Sequence, residues 1–138
     1  MAYIRANSGS GSDLSETTLW TNSSPTTGIS LGTLLNLSQS MTNFKYLRFY
    51  WRYSVTNEGT IRSVIIAVSD MKNCTDAAFA PRLVLGGWNA NSKMNFARCI
   101  KYNNDTSVYC YNGVKCWGSG TMEANAGWII PTKITGMN

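Results

Sequence analysis

Seven carboxylates, Asp13, Glu16, Glu58, Asp70, Asp76, Asp105 and Glu123, carry all the conventional acid–base chemistry open to this 138-residue chain. They are scattered, with no two in a short motif. The chain contains no histidine, which removes Ser-His-Asp and Cys-His nucleophilic machinery and the His-containing zinc sites of hydrolases and deaminases. Glycoside hydrolysis needs only two carboxylates about 5–9.5 Å apart, which folding can assemble from distant positions; an enzyme is therefore not excluded but disfavoured, and the expectation is a protein without catalysis. Cys74, Cys99, Cys110 and Cys116 are separated by 25, 11 and 6 residues, without the C-x-x-C knuckle of a zinc site. Asp70 and Asp76 lack the regular oxygen spacing of a calcium loop and read as turn residues. No metal and no cofactor are expected. The opening residues lack the apolar run of a secretory signal, so folding in a reducing cytoplasm with free thiols is the expectation.

Binding chemistry is better represented. Trp88 follows Gly86-Gly87 and precedes Asn89, Asn91 and Ser92, which reads as a loop where an indole and amide groups stand side by side. Sugars offer apolar C–H faces beside hydroxyls, so Trp88, Asn89 and Asn91 form the candidate glycan contact; the alternative is that Trp88 folds back as a plug over one end of the core. The other tryptophans, Trp20, Trp51, Trp117 and Trp128, lie in or beside strand-like segments and read as core or subunit contacts. A second group, Tyr46, Arg48, Tyr50 and Arg52, shares one face of a strand. It suits an outward sheet face, a subunit interface enriched in Tyr and Arg, or, with Lys45, a platform for single-stranded nucleic acid. The last is disfavoured because the basic residues do not extend into neighbouring segments.

The elements that must position these groups are strands. Between Phe44 and Tyr53, Leu47, Phe49, Trp51 and Tyr53 alternate with Tyr46, Arg48, Tyr50 and Arg52; this period of two separates an apolar face from an Arg/Tyr face. Asn57-Glu58-Gly59 supplies a turn, and Ile61 to Ser69, with its unbroken Val64–Val68 run, reads as a strand covered on both faces. Leu83 to Leu85 forms a segment closed by Gly86-Gly87. Phe96 to Tyr102 and Ser107 to Tyr111 form a hairpin; a two-residue turn at Asn104-Asp105 sets Cys99 opposite Cys110. Asn112-Gly113 is another turn signal, Ala77 to Ala80 one helical turn, and Gly127 to Ile134 a last strand in which Pro131 marks an edge or a bulge. Residues 1–18 read as a Gly/Ser-rich leader and residues 19–138 as one domain. Short strands at this spacing indicate a β-sandwich or barrel.

Composition agrees. Charged residues make up only 14% of the chain and the net charge is +5, while Ser, Thr and Asn supply nearly a third of it, a surface that hydrogen-bonds without a strong field. No apolar stretch approaches the roughly 20 residues of a membrane span, and no membrane insertion is expected.

Three segments carry a resemblance. Leu19-Trp20-Thr21-Asn22-Ser23-Ser24-Pro25-Thr26 resembles the "LWTN-x-x-PT" opening, and Ile130-Pro131-Thr132-Lys133-Ile134-Thr135-Gly136 the "IP-x-KI-x-G" closing strand, of small receptor-binding head domains at the C-termini of tail fibre proteins in phages and prophages of Gram-positive hosts. Ser38 to Leu47 is similar to that family's "L-S-x-S-x-x-x-Y-x-x-L" entry to its first long strand, with a tighter spacing. The resemblance implies an antiparallel β-sandwich of jelly-roll type, assembled as a homotrimer in the virion tail, that binds host cell-wall or capsular polysaccharide and contacts other tail or baseplate proteins, with the leader as docking segment. A purely structural tail or baseplate subunit is the alternative expectation, and a single-stranded nucleic-acid-binding protein a more distant one.

Overall fold

Alternation in the longest aromatic stretch becomes a strand whose two faces meet different environments. In the computed structural model, which describes residues 15–30, 32–56, 61–75, 80, 83–89, 94–117, 122–124 and 127–138, β3 (Tyr46–Ser54) buries Leu47, Phe49, Trp51 and Tyr53 while Tyr46 is exposed. The remaining strands are β1 (Thr17–Thr21), β2 (Thr33–Asn36), β4 (Ile61–Ala67), β5 (Leu83–Asn89), β6 (Met94–Asn104), β7 (Ser107–Trp117), β8 (Met122–Ala124) and β9 (Trp128–Met137), with a short α-helix, α1 (Val68–Asn73), and a single 3-10 turn at Met41–Asn43 among the described residues. They form two antiparallel sheets. Sheet A has the order β1-β9-β3-β4; sheet B has the order β2-β7-β6-β5, with β8 beside the far half of β7.

Leu47, Phe49 and Ile134 of sheet A meet Leu35, Leu85, Phe96, Ile100 and Val108 of sheet B in one apolar core, the arrangement of a β-sandwich. An aromatic cluster ties the sheets together: the Phe96 ring stacks on Trp128 at 4.1 Å, and Tyr53 meets Phe96 and Trp128 edge-on at 5.2 and 5.4 Å.

Several expectations change. Ile61 to Ser69 is not a strand covered on both faces: β4 is the edge of sheet A, leaving Ile61 and Ile65 exposed, and the chain turns into α1 at Val68. Ile61 and Ile65 stand opposite Arg52 and Arg48 in the β3–β4 register, on the face of sheet A turned away from the core. Gly86-Gly87 does not close a segment either. Strand β5 runs through both glycines to Asn89, so Trp88 and Asn89 belong to a strand, opposite Asn95 and Met94, and not to a loop. The β6–β7 turn lies at Asp105-Thr106 with a bulge near Tyr102, which shifts the register by one: Cys110 faces Ile100 and Cys99 faces Tyr111. Asn112-Gly113 supplies a bulge inside β7 in place of a turn, opposite Arg98 and Cys99. Pro131 sits beside a bulge in the central strand β9, where its missing N–H costs the ladder least. The Asn57-Glu58-Gly59 turn and all but Ala80 of the Ala77–Ala80 helical turn lie outside the described residues.

The opening and closing motifs meet in space. Trp20 pairs with Ile134 and Thr21 with Lys133 across β1 and β9. Beyond β1, the Asn22 backbone N–H donates to the Thr132 carbonyl at 2.9 Å and its Nδ2 to the Pro131 carbonyl at 3.0 Å, while Asn22 Oδ1 accepts from the Ser24 N–H at 2.8 Å. Leu19 between them is buried in the core. Thr17 and Thr18 pair with Gly136 and Thr135, so sheet A begins two residues before Leu19.

Candidate functional site

On the outer face of sheet A, alternation turns Tyr46, Arg48 and Tyr50 away from the core, and the bend of the chain into β1 brings Glu16 over them. Arg48 Nη1 donates to Glu16 Oε1 at 2.8 Å, while the Tyr50 and Thr135 hydroxyls donate to Oε2 at 2.6 and 3.0 Å. Arg48 Nε donates to Ser63 Oγ at 2.9 Å. The Tyr50 ring also carries Lys133 Nζ at 4.3 Å and the Arg48 guanidinium carbon at 4.9 Å from its centroid. The Tyr50 hydroxyl, followed by Arg48 and Thr135, holds the Glu16 carboxyl below the ordinary carboxylate range against an opposing push from burial. Burial and the bond to Glu16 raise the Tyr50 phenol. One guanidinium and two hydroxyls converge on this carboxylate, with Lys133 against the Tyr50 ring, and the network anchors the start of the domain.

A pH prediction follows from the sign of that shift. Glu16 binds a proton more weakly when folded than when unfolded, so its contribution is present above its ordinary pKa of 4.5 and is lost as pH falls through the lower folded value. Glu16→Gln is expected to cost about 1 kcal/mol at pH 7, the scale of a partly exposed pair, with the gap to the native chain narrowing in acid, as pH falls from 4.5 through the lower folded value. Urea midpoints for both proteins at neutral pH and in acid check this; a gap that persists in acid contradicts it.

Arg52 does not join the group. It lies at the far end of β3, only 8% exposed, beside a cleft of about 250 Å³ lined also by Thr21, Asn22, Pro25, Ile61 and Thr132. Along the outward Arg/Tyr face expected from alternation, exposure therefore ends at Tyr50, while Arg52 lies covered beside Ile61, its partner in β4. Among the glycan-contact candidates, the backbones of Trp88 and Asn89 lie in β5, while their side chains and the whole of Asn91 lie outside the described residues.

The outer face of sheet B carries a group that the sequence reading passed over. Leu34, Tyr109 and Lys101 form one cross-strand row, and Tyr111, Cys99 and Val84 the next. Tyr109 is 36% and Tyr111 38% exposed, and Leu34 and Val84 are exposed as well. Lys101 is nearly buried although it stands on an outer face, because its Nζ sits 3.3 Å from the centroid of the Tyr111 ring. Gly32, Lys101, Tyr109 and Tyr111 line a groove of about 220 Å³. Gly32 has a φ of +76°, and its N–H donates to the Cys110 carbonyl at 3.0 Å. The available signal was period two: with Val108 and Cys110 pointing inward, Tyr109 and Tyr111 must point out.

A further hollow, of about 480 Å³, lies between Thr42, Lys45, Tyr46, Ser69 and Lys72. Lys72 there is committed to Asp105 at 3.0 Å, which also accepts from the Tyr102 hydroxyl at 2.8 Å. Tyr102 and then Lys72 lower the Asp105 pKa, and Asp105 raises that of Lys72. Among the described residues no three Cys, Asp or Glu side chains gather as metal ligands. Cys74, Cys99 and Cys110 are free thiols, with burial pushing Cys110 up. No helix of the described residues is long and apolar enough to cross a membrane. No family model matches the chain, and no curated protein or solved structure matches it.

Proposed function

We propose that this chain is the receptor-binding head of a phage or prophage tail, a jelly-roll sandwich that works as a homotrimer and recognises host cell-wall or capsular polysaccharide without catalysis. The observation that carries this reading is the meeting of the two motifs. The Leu19–Asn22 opening and the Ile130–Gly136 closing strand, 109 residues apart at the Asn22–Pro131 bond, are each other's neighbours in sheet A. Short motifs shared with a family have a common physical cause when they build one unit, and here they clasp the entry and exit of the sandwich. The composition agrees with a ligand of hydroxyls: the chain is rich in Ser, Thr and Asn and poor in charge. Three weak sites on one trimer would add up through effective concentration.

A second reading, a tail or baseplate subunit that serves assembly alone, is favoured by the exposed Ile61 and Ile65 on edge strand β4. The two are separated by purified protein probed on an array of bacterial wall and capsular polysaccharides, with its mass measured in solution. The head reading expects retention of at least one polysaccharide and a mass about three times the 15.2 kDa of the chain. A monomer that retains none overturns it, and a trimer that retains none leaves the assembly reading.

A further inference from the structure

An outward sheet face far from any partner normally carries polar side chains that water can solvate. The outer face of sheet B instead sets two tyrosines two residues apart on one strand, Tyr109 and Tyr111, each more than a third exposed. At that spacing their Cα atoms lie about 6.8 Å apart, close to the width of a pyranose. Neither phenol hydroxyl is hydrogen-bonded to another described residue, so both stay available as donor and acceptor. A Cβ on Gly32 would meet nothing within 4 Å, so the third wall of the groove is backbone beside open space.

The cation among the groove's described residues is covered. Lys101 is 3% exposed, with its ammonium against the face of Tyr111. It braces that ring from one side, and at 3% exposure it offers little charge to an incoming anion. Among the described residues the surface offered to a ligand is therefore neutral: two phenol rings with exposed faces. A volume of about 220 Å³ is smaller than the roughly 300–1,000 Å³ of drug-sized sites and suits a single ring.

We propose that the groove between Tyr109, Tyr111 and Gly32 is a monosaccharide subsite that takes one uncharged pyranose of a surface glycan, its C–H face against the tyrosines and its hydroxyls toward the phenol oxygens, with Lys101 as a positioning residue behind Tyr111. This deepens the glycan-binding reading and rests on it. The subsite lies on the face opposite the Glu16 anchor, which leaves the two sheets with separate tasks: sheet A holds the start of the domain, and sheet B meets the ligand.

The test titrates the full chain with methyl glycosides of glucose, galactose, rhamnose and N-acetylglucosamine, and with glucuronate, using saturation-transfer and chemical-shift NMR in low and high salt. At least one neutral glycoside is expected to shift the Tyr109 and Tyr111 ring signals, with an affinity indifferent to salt. Tyr109→Ala and Tyr111→Ala are each expected to weaken it about tenfold. Gly32→Asn gives a variant that leaves both rings in place: Asn tolerates the left-handed backbone, and its side chain enters the groove mouth and weakens binding to a similar extent. Melting curves confirm that each variant is folded. Tighter, salt-sensitive binding of glucuronate overturns the neutral subsite. Polysaccharide retention that survives in both tyrosine variants and disappears in Trp88→Ala overturns the location and leaves glycan recognition standing. A native chain that binds neither glycoside nor any wall polysaccharide overturns both.

Discussion

Replacing Arg98 with alanine is expected to lower unfolding stability by about 4 kcal/mol and the melting temperature by roughly 12 °C. Arg98 is fully buried in the middle of β6. Its Nε donates to the Ile129 carbonyl at 2.7 Å, Nη2 to the Trp128 carbonyl at 3.0 Å and Nη1 to the Ile29 carbonyl at 3.2 Å. The guanidinium thus crosses from sheet B to the first residues of β9 in sheet A and to the segment before β2. One of its acceptors belongs to a strained residue. Ile129 has a φ of +50°, a region that a β-branched side chain enters only when its surroundings hold it there. The turn there lets Ile129 and Ile130 both be fully buried, which an ideal alternating strand does not give. Removing Arg98 leaves buried carbonyls without a donor and a void the size of a long side chain, while the relief of a buried charge returns part of the cost. Lysine is no remedy, since one ammonium cannot span acceptors arranged for a planar fork. Methionine fills the volume without donating, so Arg98→Met is expected to recover about half the loss. Guanidinium unfolding of the three variants measures this. If alanine and methionine both stay within about 1 kcal/mol of the native chain, the staple contributes nothing.

Alternation was legible wherever neighbours supplied matching faces. The apolar set from Leu47 to Tyr53 is the core face of β3, as its spacing requires. The same arithmetic places Arg98 with Phe96 and Ile100 on the inner face of β6; its burial was written in the period but masked by its charge, because an arginine is read as surface until its acceptors are known. Those acceptors are 30, 31 and 69 residues away. Glu16 was hidden for a related reason. A Gly/Ser-rich composition describes a chain with nothing to bury, yet the leader's last carboxylate finds Arg48 and Tyr50, 32 and 34 residues on. The edge position of β4 is not encoded in its composition at all, since sheet order decides it. Asn112-Gly113 was read for its local preference alone; the bulge uses the same backbone freedom within a pairing that a long-range partner, β6, imposes. For the candidate sites, the tryptophan drew attention to residues 88–91, whose side chains lie outside the described residues, while Tyr109 and Tyr111 stand exposed on the outer face of sheet B beside Leu34 and Val84.

Gly86→Ala is expected to cost about 3 kcal/mol and to loosen β5 selectively. A Cβ at residue 86 would stand 2.4 Å from the Phe96 carbonyl oxygen and 3.1 Å from the Ala97 Cα. Both are backbone atoms of β6, the only strand paired with β5 among the described residues, so no change of rotamer relieves the clash and the strands must part. The neighbouring glycine supplies the control. A Cβ at Gly87 would meet Arg62 Nη1 at 2.7 Å, the far end of a flexible and exposed side chain that can swing aside, so Gly87→Ala is expected to cost less than about 1 kcal/mol. Amide hydrogen exchange read strand by strand separates local from global effects: in Gly86→Ala, protection should fall first at the amides paired between Leu83–Asn89 and Met94–Ile100, while β3 and β9 keep theirs. Equal costs at the two positions contradict the argument, because what distinguishes them is the rigidity of the atom each new methyl meets. The same rigidity explains why a Gly-Gly pair, ordinarily a stop for a strand, lies within one here: β6 approaches so closely at residue 86 that only a residue without a side chain lets the pairing continue to Asn89.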